Sequence, residues 1–136
     1  MAGYSGTPLI KKLGIKEGQQ IAFLHEPQSY RRTLGKLPAG IVPVDKLTAN
    51  VTYDLIHIFV TEASTLQREF SQARKHLVTN GAIWVSWPKK SSGVKTELNE
   101  NIVRETGLDL GLVDVKVCAV DETWSGLKFV YRLKDR

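Results

Sequence analysis

YDLIHIFVTEASTLQREFSQARKHLVTNGAIWVSWP, running from Tyr53 to Pro88, decides the fold. YDLIHIFV (Tyr53 to Val60) is a near-continuous apolar run of strand length. EASTLQREFSQARKHLVTN follows, with Leu66, Phe70, Ala73 and Leu77 at helical spacing. Asn80-Gly81 stops that helix, and AIWVSWP is a second apolar strand. Strand, helix and strand in this order imply parallel strands joined by a crossover. Parallel strands are covered on both faces and carry apolar runs of this kind.

Upstream, Thr7-Pro8 opens a short helix over LIKKL, closed by Gly14. QIAFLH is a buried strand, and Ser29 to Leu34 is a brief helix before Gly35. PAG (Pro38 to Gly40) turns the chain into IVPVDKL, a strand that Pro43 assigns to an edge. Downstream, TELNENIVRETG is a helix facing inward through Leu98, Ile102 and Val103, with Gly107 as its stop. LVDVKVCAVDE alternates, with Val113, Val115, Val117 and Ala119 on one face and Asp114, Lys116 and Cys118 on the other. GLKFVYRL alternates through Leu127, Phe129, Tyr131 and Leu133, and TWSG (Thr123 to Gly126) is the hairpin turn.

These elements predict an α/β, three-layer Rossmann-like sheet of about six strands, mostly parallel, with a C-terminal antiparallel hairpin. The expected spatial order is 2-1-3-4-6-5, with the last strand antiparallel. It leaves a tension: strand six inside strand five partly buries Lys128 and Arg132, unless one face lacks helix cover. The alternative is a hairpin in plain order at the edge.

Composition bounds the function. The 136 residues, 42% hydrophobic and 24% charged, suit one domain over residues 1–136. Cys118 is the only cysteine, so no internal disulfide forms and a reducing, cytoplasmic setting is expected. The N-terminal stretch lacks a signal-peptide core, and no run approaches the roughly 18 apolar residues of a membrane span. The net charge of +5 is spread over Lys11, Lys12 and Lys16; Arg31, Arg32 and Lys36; Lys89, Lys90 and Lys95; and the C-terminus. A nucleic-acid binder carries a denser basic stripe with stacking aromatics, so nucleic acid is not the expected partner.

KEGQQIAFL, YDLIHIFVTEASTL and LVTNGAIWVSWP, with the closing hairpin, resemble the Rossmann-like class I methyltransferase fold. Across the whole chain, GYSGTPLIKKLGI, WVSWPKKSSGV and VCAVDETWSGLKFVYR are similar to a family of short bacterial proteins carried as a domain of unknown function. That second resemblance implies a fold and names no reaction or cofactor. Two departures from the methyltransferase pattern stand out. The turn that carries glycines in methyltransferases reads His25-Glu26-Pro27-Gln28-Ser29, with no glycine, and Pro27 has no N–H to donate. The 27 residues from Glu26 to Thr52 fit one strand where the family has two. Asp45 is the one candidate for the acidic residue on a cofactor ribose.

Open parallel sheets bind ligands beyond the carboxyl ends of their strands. That rule gathers His25, Glu26, Glu62, Trp87, Lys89, Lys90, Ser91, Ser92, Asp121, Glu122 and Trp124 on one rim as ligand contacts. Lys89 to Gly93 leads toward a helix beginning near Lys95 or Thr96, whose free N–H groups favour an anion. The order is not that of a Walker loop, because the lysines precede the glycine. The competing reading is an exposed loop with Thr96 as helix cap. Asp121 and Glu122 are candidates for a metal or for acid–base work, against a role in organising the turn beneath Trp124. His57 and Cys118 lie inside strands and His76 late in a helix, and structural roles are expected for all three. No catalytic residue and no metal ligand is assigned.

Three functions follow. The first is a non-enzymatic binding or regulatory module that has lost the S-adenosylmethionine loop. The second binds or acts on a small anionic or nucleotide-like ligand at the sheet edge. The third is weak nucleic-acid binding.

Overall fold

The computed structural model describes residues 6 to 136, so the Gly3 to Ser5 part of the first motif lies outside the described residues. The helices are α1 (Leu9–Leu13), α2 (Tyr30–Leu34), α3 (Ala63–Lys75) and α4 (Glu100–Asp109). The strands are β1 (Ile21–Leu24), β2 (Tyr53–Phe59), β3 (Leu77–Pro88), β4 (Leu112–Ala119) and β5 (Trp124–Tyr131). They form one five-stranded sheet in the order β1-β2-β3-β5-β4. β1, β2 and β3 run parallel, and β5 lies antiparallel between β3 and β4.

The expected strand over IVPVDKL is not formed. Only Val44 joins the sheet, through an isolated parallel bridge to Ala22. Pro43 has no N–H, so the ladder cannot extend on its side. With Val44 counted as a strand remnant, the spatial order is the one expected. The hairpin is inserted, and Lys128 and Arg132 are both partly buried, as that order implies, with the end of α1 beside Lys128.

A core lies on each face. α3 and α4 cover one, with Leu66, Phe70, Val103, Leu127 and Phe129 packed against Ile56, Ile58 and Ile83. Phe70 meets Phe129 edge-on at 4.9 Å. On the other face Leu13, Tyr30 and Leu34 pack on Phe23, Leu55, Phe59 and Trp84. The Trp84 indole N–H donates to the Leu13 carbonyl at 2.9 Å, which ties α1 to the middle of the sheet.

Local rules misplaced four features. α3 ends at Lys75, not Asn80, and β3 already begins at Leu77. Gly81 is required there by close approach, since a Cβ would lie 2.9 Å from the Asp54 carbonyl. α4 begins at Glu100, with the Asn99 side chain accepting from the Ile102 N–H, and it runs through Gly107. Gly107 stays helical because Phe129 fills the space where a side chain would stand. In β4 the register shifts between Asp114 and Lys116, so Val115 is a bulged residue. The bulge breaks the expected alternation and puts Val113 and Val117 on opposite faces. Leu133 lies past β5 and is exposed.

Candidate functional site

The sheet edge at the carboxyl ends of β1, β2 and β3 holds two separate cavities. The first, about 620 Å³, opens at the exit of β1. Leu24, His25 and Glu26 line it from β1, Asp45, Lys46 and Leu47 from the segment after the bridge, and Glu69, Gln72 and His76 from α3 and its end. No helix follows the Val44 segment, so the α3-side face of β1 is left partly open.

His25 has φ 60°, the left-handed conformation that favours glycine. The turn after β1 therefore takes a glycine-like backbone path while carrying an imidazole. That imidazole meets Glu69: Nε2 is 2.5 Å from Oε1. Glu26 is not free, because Arg31 donates to both of its oxygens at 2.9 and 3.1 Å. His76 Nδ1 lies 2.8 Å from the Val51 carbonyl, a structural bond within the reading expected for it.

The second cavity, about 720 Å³, lies at the exit of β3. Trp87 and Ser125 line its sheet side, Lys89 and Lys90 one wall, and Val94 to Glu100 the other. The direct run from the lysine loop into a helix N-terminus is corrected. Lys90–Ser92 is a single 3-10 turn, and α4 starts only at Glu100. The intervening strap is tied over the end of β2. Thr96 Oγ1 donates to the Thr61 carbonyl at 2.6 Å, and Glu97 Oε1 accepts from the Ala63 N–H at 2.8 Å. Thr96 is therefore no cap for α4, and the Glu97 carboxylate meets the first N–H groups of α3.

Other rim residues serve the loops. The Ser92 hydroxyl donates to the Lys89 carbonyl and accepts from the Val94 N–H. Ser91, Glu62 and Glu122 are exposed and line neither cavity. Asp121 Oδ1 accepts from the Thr123 and Trp124 N–H groups, both at 2.8 Å, which makes the turn as the structural reading expected. Trp124 packs edge-on against Phe59 at 5.3 Å. Among the described residues no group of three or more His, Cys, Asp or Glu is placed to hold a metal ion. None of their helices is long and apolar enough to cross a membrane.

Sequence reasoning missed Glu69, Gln72 and His76 as cavity residues. Their three- and four-residue spacing on one side of α3 was legible, but nothing local shows that this side borders an open space. It also missed the polar chain through the core. His57 Nδ1 is 2.7 Å from the Tyr30 hydroxyl and Nε2 is 2.7 Å from Ser86 Oγ. His57 is fully buried, and burial pushes its pKa down to about 3, so it is neutral. Burial likewise raises the Tyr30 pKa well above that of a free phenol.

No family model and no curated protein matches the chain. Solved structures do match in shape. Aeropyrum pernix fibrillarin in complex with natively bound S-adenosyl-L-methionine is 18% identical, with TM-score 0.60 over 90% of this chain and 72% of its own. The DhpI–SAH complex is 11% identical, with TM-score 0.64 over 93% and 83%. The magnesium protoporphyrin IX methyltransferase of Synechocystis PCC 6803 with bound SAH is 9% identical, with TM-score 0.59 over 91% and 79%. The reading as a non-enzymatic module is corrected by these matches, since the structures that share this sheet hold the methyl-donor cofactor or SAH. The fold of this chain is that of the class I, S-adenosylmethionine-dependent methyltransferases.

Proposed function

We propose that the chain is an S-adenosylmethionine-dependent methyltransferase in abridged, single-domain form, working in the bacterial cytoplasm on a small anionic acceptor. The observation that carries this reading is the acid-lined cavity at the exit of β1, in a sheet of methyltransferase type. S-adenosylmethionine has a sulfonium and an ammonium against one carboxylate, so it is a net cation. Glu26 (already paired with Arg31), Asp45 and Glu69 supply carboxylates to the cavity, and among the described residues Lys46 is the only lysine or arginine in its lining. Their signs complement such a ligand.

The backbone also fits. The left-handed His25 keeps the sharp turn at the strand end, and Asp45 follows the bridge residue directly, where a carboxylate can accept ribose hydroxyls. The fit departs from the family at Pro27, which donates no N–H, so His25 and Glu69 take a larger share of the contacts. When bound, the cofactor supplies an electrophilic methyl group. The chain's own part is to hold it, and His25 beside Glu69 is a pair able to accept a proton at the cavity mouth. The groove walled by Lys89, Lys90 and Lys95 suits a negatively charged acceptor, and none of these lysines has an ion pair among the described residues.

Calorimetric titration with S-adenosylmethionine and with SAH tests the reading. Saturable one-to-one binding is expected, weakened about tenfold or more by Asp45→Ala, which is about 1.4 kcal/mol. Glu122→Ala, a carboxylate outside the cavity, leaves it unchanged. No binding heat and no rise in melting temperature at millimolar cofactor would sink the reading.

A further inference from the structure

Among the described residues, the α1 side of the β5–β4 hairpin is met only by the end of α1. Lys128 pairs with Trp84 of β3 and with Lys116 of β4, so both lysines project to that side. Two like charges directly opposite each other in a ladder destabilise it. α1 ends beside them: a Cβ on Gly14 would lie 3.8 Å from Lys128 Nζ, and Lys116 Nζ donates to the Lys12 carbonyl at 3.2 Å. Burial holds the Lys128 pKa below that of a free lysine, and the charges of Lys116 and Lys16 push it the same way. Among the described residues neither Lys116 nor Lys128 forms an ion pair with a carboxylate.

Alongside lies a groove of about 570 Å³ lined by Thr7, Lys12, Lys116, Cys118 and Ser125. The two hydroxyls add donors to the lysines. Burial raises the Cys118 pKa, so its thiol is neutral and does not repel an anion. A hairpin that sets two lysines opposite each other on a half-buried face gives up stability of its own. The arrangement makes physical sense when a multiply charged anion completes it. We infer that the Lys116–Lys128 pair and the groove beside it form a binding site for a diphosphate group. The group is either free pyrophosphate or the diphosphate of a nucleotide. The site shares no residue with the acid-lined cavity and stands whether or not that cavity holds S-adenosylmethionine.

The test is calorimetric titration with pyrophosphate and with ADP at low ionic strength, on the whole chain and three variants. Saturable binding is expected, lost about tenfold or more in Lys116→Ala and in Lys128→Met. It is retained in Lys75→Ala, on the opposite face of the sheet. Tighter ADP than pyrophosphate assigns a nucleotide; equal affinity assigns the free anion. A second readout separates binding from a purely structural role. Without ligand, Lys128→Met should melt higher than the parent, because the like-charge burden is relieved. The inference is overturned by an absence of saturable binding. It is equally overturned if Lys116→Ala and Lys128→Met bind like the parent, or if Lys89→Ala alone removes the binding.

Discussion

The two halves of the sheet obey different rules. β1, β2 and β3 are parallel and covered on both faces, and Phe23, Ile56, Ile58, Trp84 and Val85 are buried along them. β5 and β4 are antiparallel, covered by α4 on one face and only partly covered, beside the end of α1, on the other. Leu127 and Phe129 are buried under α4, while Lys128 and Lys116 look out from the other side. The parallel half depends on packing from two directions. The hairpin tolerates charge because one of its faces was never closed. Charge divides along the same line: the acid-lined cavity belongs to the parallel half, while Lys116 and Lys128 belong to the hairpin and Lys89 and Lys90 to the exit of β3.

The sharpest break of this comparison is Trp84→Ala. Trp84 is fully buried and anchors α1 by its indole N–H, so truncation should cost about 3–5 kcal/mol in urea unfolding. A loss under about 1 kcal/mol would mean that α1 hardly matters to the sheet. Gly107→Ala probes the closed face of the hairpin. Its new methyl meets the Phe129 ring, and overpacking should cost up to about 3 kcal/mol. A stabilised variant would show that α4 is free to shift.

Buried His57 gives the parallel half a pH dependence on the acid side. Its pKa is about 3 when folded and near 6.5 when unfolded. As pH falls below 6.5, the unfolded chain takes up the proton first, so stability present above that pH is lost toward pH 3. Unfolding free energies from urea titrations at pH 7 and 5 should differ by roughly 2 kcal/mol from this group. The His57→Gln variant should flatten the slope, and an unchanged slope would put the effect elsewhere. The smallest effect belongs to the exposed hairpin. Val117→Thr, half exposed after the bulge, should change stability by no more than about 0.5 kcal/mol.

Periodicity and turn chemistry read most of the frame. The apolar runs located β1, β2 and β3, and Leu66, Phe70 and Ala73 located the buried side of α3; the inserted hairpin was the expected order, but only the sheet pairing chose it over a plain-order edge hairpin. The errors were local ones that distant atoms decide. Gly107 reads as a helix stop until Phe129 is seen to occupy its side-chain space. Val115 reads as one more alternating valine until the pairing with β5 ejects it from register. The missing glycines read as a lost cofactor loop, and His25 nevertheless takes the glycine-like backbone that the turn requires.

The sequence by itself determined the crossovers and the covered faces of α3 and the parallel strands, because these depend on residue type and spacing along the chain. Tertiary structure alone decided which acids share a cavity and which lysines oppose one another. Glu69 reaches His25 across 44 positions, and Lys128 meets Lys116 only because the hairpin folds back on itself. Such contacts depend on how elements stack in space, and no local period encodes that.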